Sequence, residues 1–421
     1  MGTVPVSAAP AAGSRRELAR RILDDPELPD VLARARALLR TGLNAGDGYG
    51  EVWIRDLNTF IELALEATDR RPIREALLTF FKFQGDDGNI VDGYIPEAKA
   101  TVGYKYRQSS LAPGLRAHKN TVETDQESSL IQAVARYVRV SGDVSLLDEV
   151  VAGRGVRERM ARALEYLWTE RFDAARGLIW GATTVDWGDV QPEHEWGVEL
   201  DQHSHRAIDI YDNAMAVVSV EAFLGLGPVA DSRVWRARVR SLKQAIRRHL
   251  WDAPRRKYVP HLYLEGSPFP PEFNEAEVWY HGGTTVAMEA GLLSRREVGA
   301  ALESMRANVR QAGASSIGLT VYPPYPEGTF KNKGMAPWSY QNGGDWCWFG
   351  ARTVRQLLRF GYEAEAYEEL LPMVRRVREH GGFFEWWTRD NRPKGSGTFR
   401  GGAGVIGQAI VELLAWAERH R

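Results

Sequence analysis

Two segments place carboxylates where burial would turn them to chemistry. Glu385 lies in GGFFEWWTRD, enclosed by Phe383, Phe384, Trp386 and Trp387 and followed by the glycine-rich KGSGTFRGGAG. A carboxylate among aromatic rings loses hydration, which costs stability and raises its pKa, so proton transfer is the use that justifies its position. Asp186 and Asp189 flank Trp187 and Gly188 in TTVDWGDVQ, a stretch without helical periodicity. An acid desolvated against indole rings suits a general acid. One carboxyl that protonates a leaving oxygen and one that activates water are what glycoside hydrolysis requires, at roughly 6.5–9.5 Å when the configuration inverts.

Two further acidic segments could bind rather than react. In GYGEVWIRDLNTF (48–60), Arg55 and Asp56 stand beside Trp53 at a helix start. Asp56 could accept from two hydroxyls while Arg55 donates to a third. The same pair also reads as a helix N-terminal acid with an ion partner. In NTVETDQESSL (120–130), Glu123, Asp125 and Glu127 cluster at another helix start, where acids complement the helix dipole. Ten of the fourteen tryptophans fall in loops or at helix starts, among them Trp53, Trp187, Trp346 and Trp386. A core-filling use would give the opposite split. Pyranose rings offer apolar C–H faces to aromatic planes and hydroxyls to Asp, Glu, Arg, Asn and Gln, so the pattern implies a small carbohydrate substrate.

The elements that must hold these residues are helical. Met160, Leu164, Leu167 and Trp168 share one face, as do Ile406, Ile410, Leu413 and Leu414. Such stripes predict about twelve helices, near 28–42, 54–68, 72–84, 122–140, 144–170, 205–226, 231–251, 284–292, 294–312, 345–360, 363–379 and 401–420. Only 255–264 reads as strand. Tight turns such as SGD at 141–143 alternate with long aromatic- and glycine-rich connections at 85–121, 171–204, 252–283, 313–344 and 380–400. Long loops in a compact domain carry function. Six helical hairpins, plain at one end and elaborate at the other, predict an all-α fold, an (α/α)6 barrel. The expected organisation is a loose tail over 1–14 and a single domain over 15–421.

Composition narrows the classes. With 44% apolar and 26% charged residues the chain is globular, and a net charge of −1 gives no general attraction to nucleic acid or acidic membranes. The single cysteine, Cys347, excludes an intrachain disulfide and a cysteine-rich zinc site. No signal-like apolar run or membrane span is evident, so a cytoplasmic, soluble protein is expected.

In order along 48–410, these segments resemble the (α/α)6-barrel glycoside hydrolases related to family 63, trehalase, neutral invertase and glucoamylase. WIRD (53–56) resembles the Arg-Asp pair that holds the terminal sugar. Asp186 stands where the family has its general acid, with Asp189 a rival, because the usual acid motif is not intact around Asp186. DIYDNAM (209–215) resembles a pocket-lining helix start and implicates Asn213. EVWYHGGTT (277–285) is similar to an aromatic-Arg-Gly-Pro segment in which His281 replaces the Arg. YQNGG (340–344) resembles a Tyr-x-Asn-Gly motif and implicates Tyr340, Gln341 and Asn342. Glu385 matches the general base. Asp125 and Gln126 are added as ligands by the same likeness.

The resemblance implies an exo-acting, inverting α-glycosidase that needs no cofactor or metal. Glucose is preferred over mannose, which family 125 exo-α-mannosidases, also with W-x-R-D, keep open. Two other classes stand beside it: a sugar epimerase of the N-acylglucosamine epimerase type, and a non-catalytic carbohydrate-binding protein. His194, Glu195, His203 and His205 are read as a satisfied or exposed cluster rather than a zinc site. Oligomeric state is open.

Overall fold

The computed structural model describes residues 12–196 and 198–421. Thirteen α-helices are present among them: α1 (Ala12–Leu23), α2 (Glu27–Leu39), α3 (Ile54–Ala67), α4 (Arg70–Lys82), α5 (Gln126–Ser141), α6 (Val156–Glu170), α7 (Ile210–Gly225), α8 (Ser232–His249), α9 (His281–Glu289), α10 (Arg295–Ala312), α11 (Cys347–Arg359), α12 (Glu363–His380) and α13 (Arg400–Arg419). Packing sorts them into two rings. The odd-numbered helices from α3 to α13 touch in sequence, and α13 closes the ring on α3. Helices α2, α4, α6, α8, α10 and α12 lie outside this ring, and α1 packs on α13. This is the all-α (α/α)6 barrel expected from the sequence.

Burial follows the rings. In α9 every residue from His281 to Met288 is buried, whereas α8 buries only Trp235, Val239, Leu242, Ala245 and Ile246, one stripe of an otherwise arginine-rich helix. Inner helices must approach closely, and small residues permit it. A β-carbon on Gly404 of α13 would overlap the backbone and Cβ of Phe60 on α3, and one on Gly407 would overlap Leu63.

The longest connections run from an outer helix to the next inner one, and the inner helices from α3 to α11 lead on to the next outer helix by links of fourteen residues or fewer. The inner N-termini therefore gather at the loop-rich end. Short antiparallel strands tie those loops together: 52–53 with 93–96 and 115–118, 206–208 with 181–182 and 262–263, 279–280 with 321–322, and 386–387 with 393–394. The predicted strand at 255–264 is in fact two, Lys257–Tyr258 and Leu262–Tyr263, which join different sheets. The predicted helix 144–170 begins at Val156, because a 3-10 turn and a two-residue hairpin precede it. The first helix was not expected. It takes in Ala12 to Ser14 of the proposed tail, and residues 1–11 lie outside the described residues.

Below the loop-rich end, the ring is crossed by charge. Glu289 of α9 accepts from Arg136 of α5 (2.9 Å) and Arg352 of α11 (2.8 Å). Arg355 of α11 reaches Glu62 of α3 (2.9 Å) and Glu412 of α13 (2.6 Å). Burial alone would raise Glu289 and Glu62, yet the surrounding guanidiniums hold both down at about 2. Breaking a buried pair leaves an uncompensated charge, which costs about 3–5 kcal/mol. Glu289→Gln is expected to lose that order of stability in urea denaturation near neutral pH. Carboxylates with depressed folded pKa values stabilise above the ordinary carboxylate range and lose that contribution as pH falls toward 2. The variant's deficit should therefore shrink on acidification, and a deficit independent of pH would contradict this account.

Candidate active site

A cavity of about 170 Å³ opens at the loop-rich end. On a scale where one water needs roughly 10–15 Å³, it holds on the order of ten waters, the room of a small polar molecule rather than of a polymer groove. Trp53, Trp187, Tyr340, Trp346, Trp348 and Phe399 form aromatic walls, and Arg55, Asp56, Asp92, His118, Asn120, Glu123, Asp189, Gln341 and Glu385 are the polar groups, with Tyr49 beside them.

Glu385 is held from two sides. The Tyr49 hydroxyl donates to both of its oxygens, at 2.9 and 3.0 Å, and the Ser396 backbone N–H donates to Oε2 at 3.1 Å. Burial pushes its pKa up, while these donors pull it back. Gly395 follows in a left-handed conformation (φ +68°), and a side chain there would run into the Glu385 carboxylate. The glycine-rich sequence after Glu385 is thus the turn that lets a backbone N–H reach it.

The DWGD turn sends its two acids in different directions. Asp186 has φ +56°, which aspartate tolerates better than most residues. It is not among the residues that line the cavity, and its carboxylate accepts from the backbone N–H of Gly282 (2.6 Å) and of Gly283 (2.7 Å), the first turn of α9. There it does the work of a helix N-cap. Burial pushes its pKa up to about 8, against the pull of those two donors. Gly188 turns the chain back through a bond to the Val185 carbonyl (2.9 Å). Trp187 and Asp189 then both line the cavity, and Gln341 Nε2 donates to Asp189 Oδ1 at 2.8 Å.

Arg55 is buried and fully engaged. Its Nε donates to Asp125 Oδ2 (2.8 Å), its Nη1 to the Trp187 carbonyl (3.0 Å), and its Nη2 pairs with Glu123. Tyr211 adds a hydroxyl donor to Asp125 at 2.8 Å. Asp125 therefore holds Arg55 from behind rather than facing the cavity. Asp56, next in sequence, is different: its Oδ1 is buried with no hydrogen-bond partner. Burial, opposed by Arg55, pushes Asp56 to about 7, and the same balance puts Asp92 at about 8. Trp53 lies over Gly93, its register partner, whose missing side chain makes space for the indole.

Of the residues proposed from sequence, Trp53, Arg55, Asp56, Trp187, Tyr340, Gln341, Trp346 and Glu385 meet at the cavity. The others are placed elsewhere. Gln126 is held by Lys119 (2.9 Å) and Glu123 (3.0 Å). Asn213 clamps the Ile179 backbone through its N–H and its carbonyl, both at 2.8 Å. Asn342 does the same for Tyr325, at 2.7 and 3.0 Å. The buried ring of His281 meets Asn308 at 3.0 Å. Trp386 packs edge-on to Tyr340 behind the wall. None of these five lines the cavity, and Gln126, Asn213 and Asn342 spend their amides on groups of the chain itself. His194 pairs with Asp201 (3.1 Å) and His205 with Glu193 (2.7 Å), and no three metal-binding side chains converge among the described residues.

Sequence reasoning passed over Tyr49, Asp92, His118, Asn120 and Trp348. Tyr49 sits four residues before the WIRD element, a signal that was available. Asp92 and His118 are neighbours at the short strands 93–96 and 115–118, a pairing that residue types do not announce.

No family model and no curated protein matches this chain. Solved structures do resemble it. The mannosylglycerate hydrolase of glycoside hydrolase family 63 from Thermus thermophilus, solved with glucose, superposes with a TM-score of 0.63 at 14% identity, over 90% of this chain and 99% of that one. A rhamnosidase from Klebsiella oxytoca with rhamnose bound gives 0.60 at 15% identity, over 91% of this chain, which spans only 63% of that protein's length. The family 78 rhamnosidase of a Bacillus species gives 0.60 at 14% identity over 91% of this chain and 34% of its own. The barrel relationship read from the sequence is thus found at the level of fold.

His118 offers a test that needs no substrate. It is buried against Tyr104 (ring centroids 4.1 Å apart), and both ring nitrogens lack a partner. Burial lowers its pKa to about 4, and His281 is lowered to about 3. Between about pH 6.5 and 4 the unfolded chain binds protons there that the folded one refuses, so stability is present above this window and falls as pH drops through it. His118→Gln should flatten the fall in urea midpoint across that window. An unchanged slope would show that His118 titrates normally.

Proposed function

We propose that this chain is a glycoside hydrolase that removes one terminal sugar from a small glycoside, with Glu385 as general base and Asp189 as general acid. The observation that carries it is the pairing of these two carboxylates, from loops far apart in sequence, on one aromatic-walled cavity beside Asp56, whose unpartnered oxygen is set to take a sugar hydroxyl. The fold of the neighbours supports the reading. Asp189 is preferred to Asp186 because an acid must reach the glycosidic oxygen, and Asp186 is committed to the α9 backbone.

In the proposed reaction Asp189 gives its proton to the leaving oxygen. Glu385, oriented by Tyr49 and Ser396, takes a proton from the water that attacks the anomeric carbon, and the configuration inverts. The surrounding carboxylates stabilise the oxocarbenium-like charge. The enclosed cavity fits exo action. The sugar is glucose by preference, with mannose the alternative, and the neighbours named above add rhamnose to the panel worth testing. One observation favours an epimerase instead: His118, neutral and unpartnered, lines the cavity. It is the only histidine there among the described residues, and an epimerase of the type considered needs two.

Incubation with α-glucosides, α-mannosides and α-rhamnosides, read by NMR, separates these readings: free sugar of inverted anomer is expected, whereas an epimerised sugar would install the alternative. Asp189→Asn and Glu385→Gln should each lower kcat by at least about 10²-fold, the usual scale of general acid–base catalysis, with the melting temperature kept. Asp186→Asn should instead lower the melting temperature, since an amide cannot accept from both α9 donors. A well-folded, inactive Asp186→Asn would restore Asp186 as the acid.

Tyr49→Phe removes a donor that favours ionised Glu385. Its pKa should rise, and since the base works deprotonated, the acid limb of the kcat/KM profile should move to higher pH. A limb that stays in place would show that Tyr49 does not tune the base.

A further inference from the structure

A second concavity, about 620 Å³, lies outside the cavity and shares Tyr104 and Val198 with it. Its walls are residues 101–105 on one side and His194, Trp196 and residues 198–201 on the other. The second side is moored near the inner cavity by two bonds, from the Thr121 N–H to the Val198 carbonyl (3.1 Å) and from the Leu200 N–H to the Thr121 hydroxyl (2.7 Å). Apolar surface is unusually open here. Trp196 is 72% exposed and Val102 40% exposed, and Trp196 is the only strongly exposed aromatic among the described residues. An exposed tryptophan and an exposed valine on the walls of one concavity are the apolar lining that small-molecule pockets present. The one lysine on these walls, Lys105, is paired with Glu199, and Asp201 lies 3.1 Å from His194. No unpaired lysine or arginine is left among the described wall residues to recognise an acid.

We propose that this outer pocket binds the leaving group of the glycoside, and that the leaving group is an uncharged aromatic or alicyclic alcohol rather than an acid or a further sugar. The inference rests on the glycosidase reading. The two concavities meet at Tyr104 and Val198, so the aglycone of a glycoside whose sugar fills the inner cavity would emerge there against Val102, Trp196 and Leu200. The flat face of Trp196 suits a ring, and a hydroxyl-rich sugar would meet few unpaired polar groups.

The test compares methyl, benzyl and carboxymethyl glycosides of the sugar that the enzyme releases; methanol and benzyl alcohol are similar leaving groups, so their difference reports binding. The benzyl glycoside is expected to have the highest kcat/KM and the carboxymethyl glycoside no advantage over methyl. Trp196→Ala should cut the benzyl-to-methyl ratio about fivefold, chiefly through KM, the scale of one aromatic contact. Val234→Ala, at an exposed position on α8, should keep it. Cleavage with equal kcat/KM for benzyl and methyl, or a ratio unmoved by Trp196→Ala, overturns the proposal and leaves the glycosidase reading intact. A carboxymethyl preference replaces it with an anionic leaving group. No cleavage of any glycoside removes both readings.

Discussion

Arg55 is the group on which the site depends. A guanidinium taken out of water must be surrounded by acceptors, and here two carboxylates and a backbone carbonyl provide them. Those acceptors belong to the α5 start and to the DWGD turn, so Arg55 at the start of α3 fixes three segments at once. The same requirement decides which acids are available for chemistry. Asp125 is consumed in holding Arg55 and Glu123 is paired with it at the cavity wall, whereas Asp56 and Asp92 line the cavity with burial holding both well above the ordinary carboxylate range.

The barrel makes this arrangement possible. Because every long connection enters an inner helix, the partially positive N-termini of the inner ring converge on the end where carboxylates collect. Asp186 shows the effect most directly, with its oxygens on two N–H groups of α9. The charge network of Glu62, Glu289, Arg136, Arg352 and Arg355 then ties inner helices to each other beneath the site. Loops that must be irregular to bind something are carried on a frame that is not.

Helices were legible in the sequence because each outer helix must show one apolar stripe and inner helices such as α13 also carry one, although polar residues are buried on them too. The strands were not, since two-residue pairings such as Trp53 with Gly93 leave no period to read. In the site, Glu385, Trp53, Arg55 and Asp56 were legible because their neighbours in sequence are also their neighbours in space. Which of Asp186 and Asp189 reaches the cavity was open from sequence, since it turns on one positive φ and one glycine. Asn213, Asn342 and Gln126 looked like ligands because sequence does not distinguish an amide that binds a hydroxyl from one that binds the protein's own backbone.

The bond between Tyr49 and Glu385 joins residues 336 positions apart. At synthesis rates of about 5–20 residues per second, Tyr49 leaves the ribosome on the order of 20–70 s before its partner. Through that interval Arg55, Asp125 and the first inner helices can assemble, but the ring is open and Glu385 is absent. Its last inner helix, α13, follows Glu385 in the chain and presents Gly404 and Gly407 to α3, so the ring can close only after every cavity-lining residue has been made.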